Sequence, residues 1–61
     1  MQIEVILNFL NTLFAKAVSF KDEEVTNKLN LIRHDVYHGD FVYELFLAKL
    51  QEIEVILKKY E

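Results

Sequence analysis

The chain contains no cysteine and no proline, and its one glycine is Gly39. Without cysteine there are no disulfides and no thiolate metal sites. Without proline, and with so little glycine, nothing interrupts the helix preference of its abundant Leu, Ile, Glu and Lys. Long apolar runs are missing too. The longest uncharged stretch lies between Glu4 and Lys16, includes Asn8 and Asn11, and is far too short to span a bilayer. There is no cationic excess either, since the formal net charge is −3. That excludes a broad electrostatic grip on nucleic acid, whose non-specific affinity comes mainly from Lys and Arg on phosphates. The sequence begins Met1-Gln2-Ile3-Glu4 with no basic region ahead of the apolar run, so no signal peptide is expected and the expected location is cytoplasmic.

What the chain does have is apolar surface. Of its 61 residues 52% are hydrophobic, above the roughly 45–50% usual in soluble domains. Residues 1–61 make one small helical domain. A chain this short buries only about 60% of the surface its unfolded form exposes. Small domains are stabilised further by disulfides, metals or oligomerisation, and here oligomerisation is the route left. A homodimer or tetramer is expected.

Hydrophobic spacing divides the chain into three helices. The first is expected over about Gln2 to Val18, with Ile3, Ile6, Leu7, Leu10, Leu13, Phe14 and Ala17 on one face. Val5 and Phe9 lie off that stripe, so this helix is apolar on more than one side. Ser19 is expected to cap a second helix, about Phe20 to Tyr37, with Asp22 three residues on as a short capping box. Asp22, Glu23 and Glu24 suit the positive end of its dipole. Its stripe is narrow: Val25, Leu29, Ile32 and Val36. His38-Gly39-Asp40 is the second joint, with Gly39 expected in the left-handed region and Asp40 expected as the next N-cap.

The third helix is expected over about Phe41 to Tyr60. Tyr43, Phe46, Leu50, Ile53, Leu57 and Tyr60 form a heptad-type seam, and Leu45, Leu47, Ala48, Val55 and Ile56 broaden it. Ile-Glu-Val-Ile-Leu occurs at both Ile3–Leu7 and Ile53–Leu57, which reads as two uses of one amphipathic solution. The expected fold class is all-α, a three-helix protomer forming an oligomeric helical bundle.

Chemistry concentrates in Leu31-Ile32-Arg33-His34-Asp35-Val36-Tyr37-His38-Gly39, which holds Arg33 and both histidines. If the helix ends near Tyr37, Arg33 projects from its last turn and His38 from the joint. A guanidinium grips phosphate bidentately, and an imidazole transfers protons near neutral pH. Together they would cleave RNA without metal, His38 taking the ribose 2′-hydroxyl proton and Arg33 stabilising charge on the phosphate.

This stretch, with the amphipathic helix ending Ile53-Glu54-Val55-Ile56-Leu57-Lys58-Lys59-Tyr60, resembles the C-terminal half of a HEPN domain over about Glu23 to Tyr60. That resemblance implies an all-helical, dimeric scaffold. In active members it implies a metal-independent ribonuclease of toxin or antiviral type, with Arg and His from both protomers at the dimer interface. Arg33 and His38 are the matching positions. His34 stands where the family often has Asn, and family members usually carry further helices ahead of the motif.

Two other readings use the same residues. His34 and His38 have the four-residue spacing by which helical imidazoles share a zinc, but a third ligand is needed and only Asp40 or Glu44 lie near. Alternatively Arg33 pairs with Asp35 or with an acidic partner, His38 and Gly39 end a helix, and Tyr37, Tyr43 and Tyr60 are amphipathic edge residues. Direct DNA reading by the second helix is disfavoured, since Lys21, Lys28 and Arg33 face Asp22, Glu23, Glu24 and Asp35. The preferred expectation is a protein–protein interaction or regulatory module on a HEPN-like scaffold, with no cofactor or metal. It would bind itself and another protein. RNA cleavage through Arg33 and His38 is the alternative, with RNA as the partner in that case. An apolar patch drawn from Val5, Phe9, Leu47 or Val55 should remain exposed.

Overall fold

Each of three helices buries four residues spaced four, three and four apart. They are Ile6, Leu10, Leu13 and Ala17, then Val25, Leu29, Ile32 and Val36, then Phe46, Leu50, Ile53 and Leu57. That spacing holds a side-chain stripe on one face of a helix. The computed structural model describes residues 2–61: α1 spans Gln2–Ser19, α2 Glu23–His38 and α3 Tyr43–Leu57, followed by a 3-10 turn, Lys58–Tyr60. The fold is all-α. None of these helices is long and apolar enough to cross a membrane.

The twelve buried residues form one core, and α1 packs along both α2 and α3. The direct approach of α2 to α3 is much slighter. The accessible surface, 4252 Å², is close to the roughly 4,200 Å² expected of a folded monomer of this mass. One copy therefore hides its own core. The surplus of apolar residues narrows to those left exposed, among them Val5, Leu31, Leu45, Val55 and Ile56. Of the patch expected from sequence, Val5 and Val55 are exposed, whereas Phe9 and Leu47 pack against the core.

The joints depart from the sequence expectation in instructive ways. Ser19 does not cap α2; it is the last residue of α1. The Asp22 N–H donates to the Ala17 carbonyl and the Lys21 N–H to the Val18 carbonyl, each at 3.0 Å. These two bonds are a Schellman closure, with Lys21 in the left-handed position at φ 59°. Asp22 is the N-cap of α2, its Oδ1 accepting from the Val25 N–H at 3.0 Å. One residue thus ends one helix and starts the next, leaving no room for a cap at Ser19.

At the second joint α2 runs on through His38, and Gly39 is extended (φ −110°) rather than left-handed. Its N–H donates to the Asp35 carbonyl at 2.8 Å. A Cβ there would stand 3.0 Å from that carbonyl oxygen, so the glycine is favoured by tight space, not by handedness. Asp40 does not cap α3. The N-cap is Val42, without a side-chain hydrogen bond. Instead the rings of Phe41 and Phe46 stack at 5.3 Å, a hydrophobic staple across the helix start. A pair of large apolar faces sets the chain direction where a carboxylate was expected to.

Candidate functional site

Arg33 lies half-buried on the side of α2 that faces α1, its guanidinium carbon 4.7 Å from the centroid of the Phe14 ring. This cation–π contact fixes the guanidinium to the neighbouring helix. His38 stands five residues further on, roughly 140° around the helix at 100° per residue. It is exposed, and its ring meets that of His34, centroids 4.5 Å apart. His34 Nδ1 lies 4.0 Å from the Asp35 carboxylate. Within the chain, then, His34 and His38 are brought together, and Arg33 is turned toward α1. His38, expected from the sequence in a joint from which it could converge with Arg33, is instead the last residue of α2.

The third zinc ligand is not in place. Among the described residues no group of three or more His, Cys, Asp or Glu side chains gathers, so neither Asp40 nor Glu44 joins the histidine pair. No charged or polar side chain is buried there either. A depression of about 480 Å³ beside the first joint is walled by Val18, Lys21, Glu23, Thr26 and Asn27. It has no nucleophile paired with a base.

The shortest side-chain hydrogen bond among the described residues lies elsewhere, at positions the sequence does not single out together. The Tyr60 hydroxyl donates to Asp22 Oδ2 at 2.6 Å, and the Tyr60 ring stacks on Phe20 at 4.8 Å. Lys59 Nζ lies 3.9 Å from the same carboxylate, and Lys16 pairs with Glu61 at 3.5 Å. Tyr60 reaches Asp22 because the chain tightens into the 3-10 turn after Leu57 instead of continuing as α-helix. The Tyr60 hydrogen bond, then the Val25 N–H, hold the Asp22 carboxyl below the usual carboxylate range. The same bond, together with burial, pushes the Tyr60 hydroxyl above the ordinary phenol value. Perturbed acids often mark active sites, but this pair sits at a helix cap and joins the C-terminal turn to the α1–α2 joint. Its geometry is that of a clasp.

The remaining feature is the open seam between α2 and α3, a groove of about 350 Å³. Ile32 and Ile53 form its floor, and Leu31 (68% exposed) and Ile56 (38%) its edges. Lys28, Asp35, Lys49 and Glu52 line it as well. A sequence signal existed for this groove. Leu31 is an apolar residue off the stripe of an otherwise polar helix, and Ile56 sits off the α3 seam. Comparison of the chain with family models, curated proteins and solved structures returns no match.

Proposed function

We propose that this chain is a non-enzymatic interaction module, a small helical unit on a HEPN-like scaffold that associates with itself and regulates another protein by binding it. The observation that carries this reading is the open α2–α3 seam, where Leu31 and Ile56 remain exposed over an apolar floor. Burying side chains of this size yields about 1.5–3 kcal/mol each, so an apolar partner surface is the natural complement. The position of Arg33 on Phe14 supports the ranking over catalysis, because it holds the guanidinium on the α1 side of α2, away from the exposed His38 of the same chain.

Metal-independent RNA cleavage is the second reading. It is carried by the exposed His34–His38 pair at the end of α2, to which a second protomer would have to bring an arginine. The two readings separate in one assay. Purified wild type, Arg33→Ala and His38→Ala are incubated with a structured RNA in chelator, and the products are resolved. The interaction reading expects background cleavage from all three. Cleavage by wild type that disappears in both variants would overturn it.

A further inference from the structure

We infer that the α2–α3 groove is covered by the same groove of a second copy, giving a two-fold dimer in which α2 and α3 of both protomers form a four-helix interface. This rests on the self-associating reading above and names its surface and partner. The geometry begins with the helix period. On α3, Leu45, Lys49, Glu52 and Ile56 recur at steps of four, three and four, and on α2, Glu24, Lys28, Leu31 and Asp35 do the same. Both are second stripes, offset from the buried ones and matched to each other in length, as the facing helices of a bundle require.

The charges decide the occupant. The first turn of α2 adjoins the last of α3, where Glu24 and Lys28 share a wall with Ile56 and Tyr60. The two helices therefore run antiparallel. Lys28 lies toward that end of the groove, Asp35 and Lys49 lie toward the joint, and Glu52, level with Ile32, lies between them. Each rim thus carries one charge of each sign, in opposite order. A two-fold axis along the groove sets Lys28 against the partner's Glu52 and Asp35 against the partner's Lys49. An axis across the groove sets Lys28 against the partner's Asp35 and Lys49 against the partner's Glu52. Either way every cation has a partner anion opposite it or about one helical turn along the groove, which is the self-complementarity an isologous interface needs. Among the described residues Lys49 and Glu52 make no ion pair, and Lys28 has only its helical neighbour Glu24 at 3.7 Å. The molecule is 30 Å long and 17 Å across, enough for the roughly 500 Å² per partner of a small specific interface.

The test is sedimentation equilibrium of the full chain, with helicity checked by circular dichroism. Two variants are compared with wild type: Lys28→Glu/Lys49→Glu, which leaves only anions among the four positions, and Asp35→Lys/Glu52→Lys, which leaves only cations. From a net charge of −3, two Lys→Glu changes give −7 and two acid→Lys changes give +1. General repulsion therefore cannot explain dissociation of the second variant. Expected are a wild-type dimer, at least tenfold weaker self-association of each variant, and a heterodimer when the two are mixed. A wild-type dimer that both variants retain would overturn the groove as its surface while leaving self-association standing. A wild type that stays monomeric at several hundred micromolar would overturn self-association itself and assign the groove to a different protein.

Discussion

Asp22 ties together two parts of the fold, the start of α2 and the C-terminal turn. One oxygen closes the first turn of α2 and the other holds the Tyr60 hydroxyl. Its depressed pKa makes it a source of stability that is present above the ordinary carboxylate pKa, about 3.9. That stability is lost as pH falls from there through the lowered value. Tyr60 behaves in the opposite sense. Its raised pKa gives stability that is complete below about 10 and lost as pH rises through the raised value. Tyr60→Phe should therefore melt below wild type by a constant margin from mildly acidic to mildly alkaline pH, and the margin should shrink at both extremes. Thermal melts across pH check this, and an unchanged margin near pH 3 would refute the clasp. Lys21 gives a second residue-scale prediction. A side chain in the left-handed region costs about 1–2 kcal/mol, and glycine avoids that at some entropic cost in the unfolded chain. Lys21→Gly should stabilise the protein by about 1 kcal/mol in urea unfolding with the slope unchanged.

At the scale of elements, the stripes were legible and the ends were not. Val25, Leu29, Ile32 and Val36 are all buried as their spacing required, because the period of 3.6 is a local property of any helix. The helix boundaries moved because each depends on a competition between neighbouring groups. Asp22 displaced Ser19 as cap once the Schellman closure of α1 brought its backbone into place, and the Phe41–Phe46 stack displaced Asp40. Phe41→Ala should therefore fray the first turn of α3, seen as faster amide exchange at Phe46, whose N–H donates to the Val42 carbonyl, and at Leu47, while Asp40→Ala leaves those rates nearly unchanged. Equal effects of both would return the cap to Asp40. Arg33 illustrates the same limit for the candidate site. Its place in the Arg-x4-His pattern was visible, but its contact with Phe14 depends on where α1 lies. Arg33→Gln should cost about 0.5–1 kcal/mol of stability, measurable by the same unfolding curves.

At the scale of the whole molecule α1 is the spine, since it packs along both other helices while they barely touch each other. Leu10 is fully buried on that spine. Leu10→Ala should cost about 2–5 kcal/mol, against a total stability on the order of 3–9 kcal/mol for a chain of this length. Far-ultraviolet circular dichroism should show it largely unfolded at 37 °C, whereas Val55→Ala on the exposed face of α3 should melt within a few degrees of wild type. The sequence by itself determined the helical class and three stripes that between them hold all twelve buried residues, because absent helix breakers and a helical period act locally; Ile3, Leu7, Phe14 and Tyr43 lie on the same stripes but are only half-buried, and Tyr60 is exposed. Only the tertiary structure decided that Tyr60 turns back to Asp22, that Arg33 rests on Phe14 and away from His38, and that the α2–α3 seam stays open. Each of these depends on how one helix is placed against another. That placement is fixed by the packing of side chains far apart in the chain, which no local pattern records.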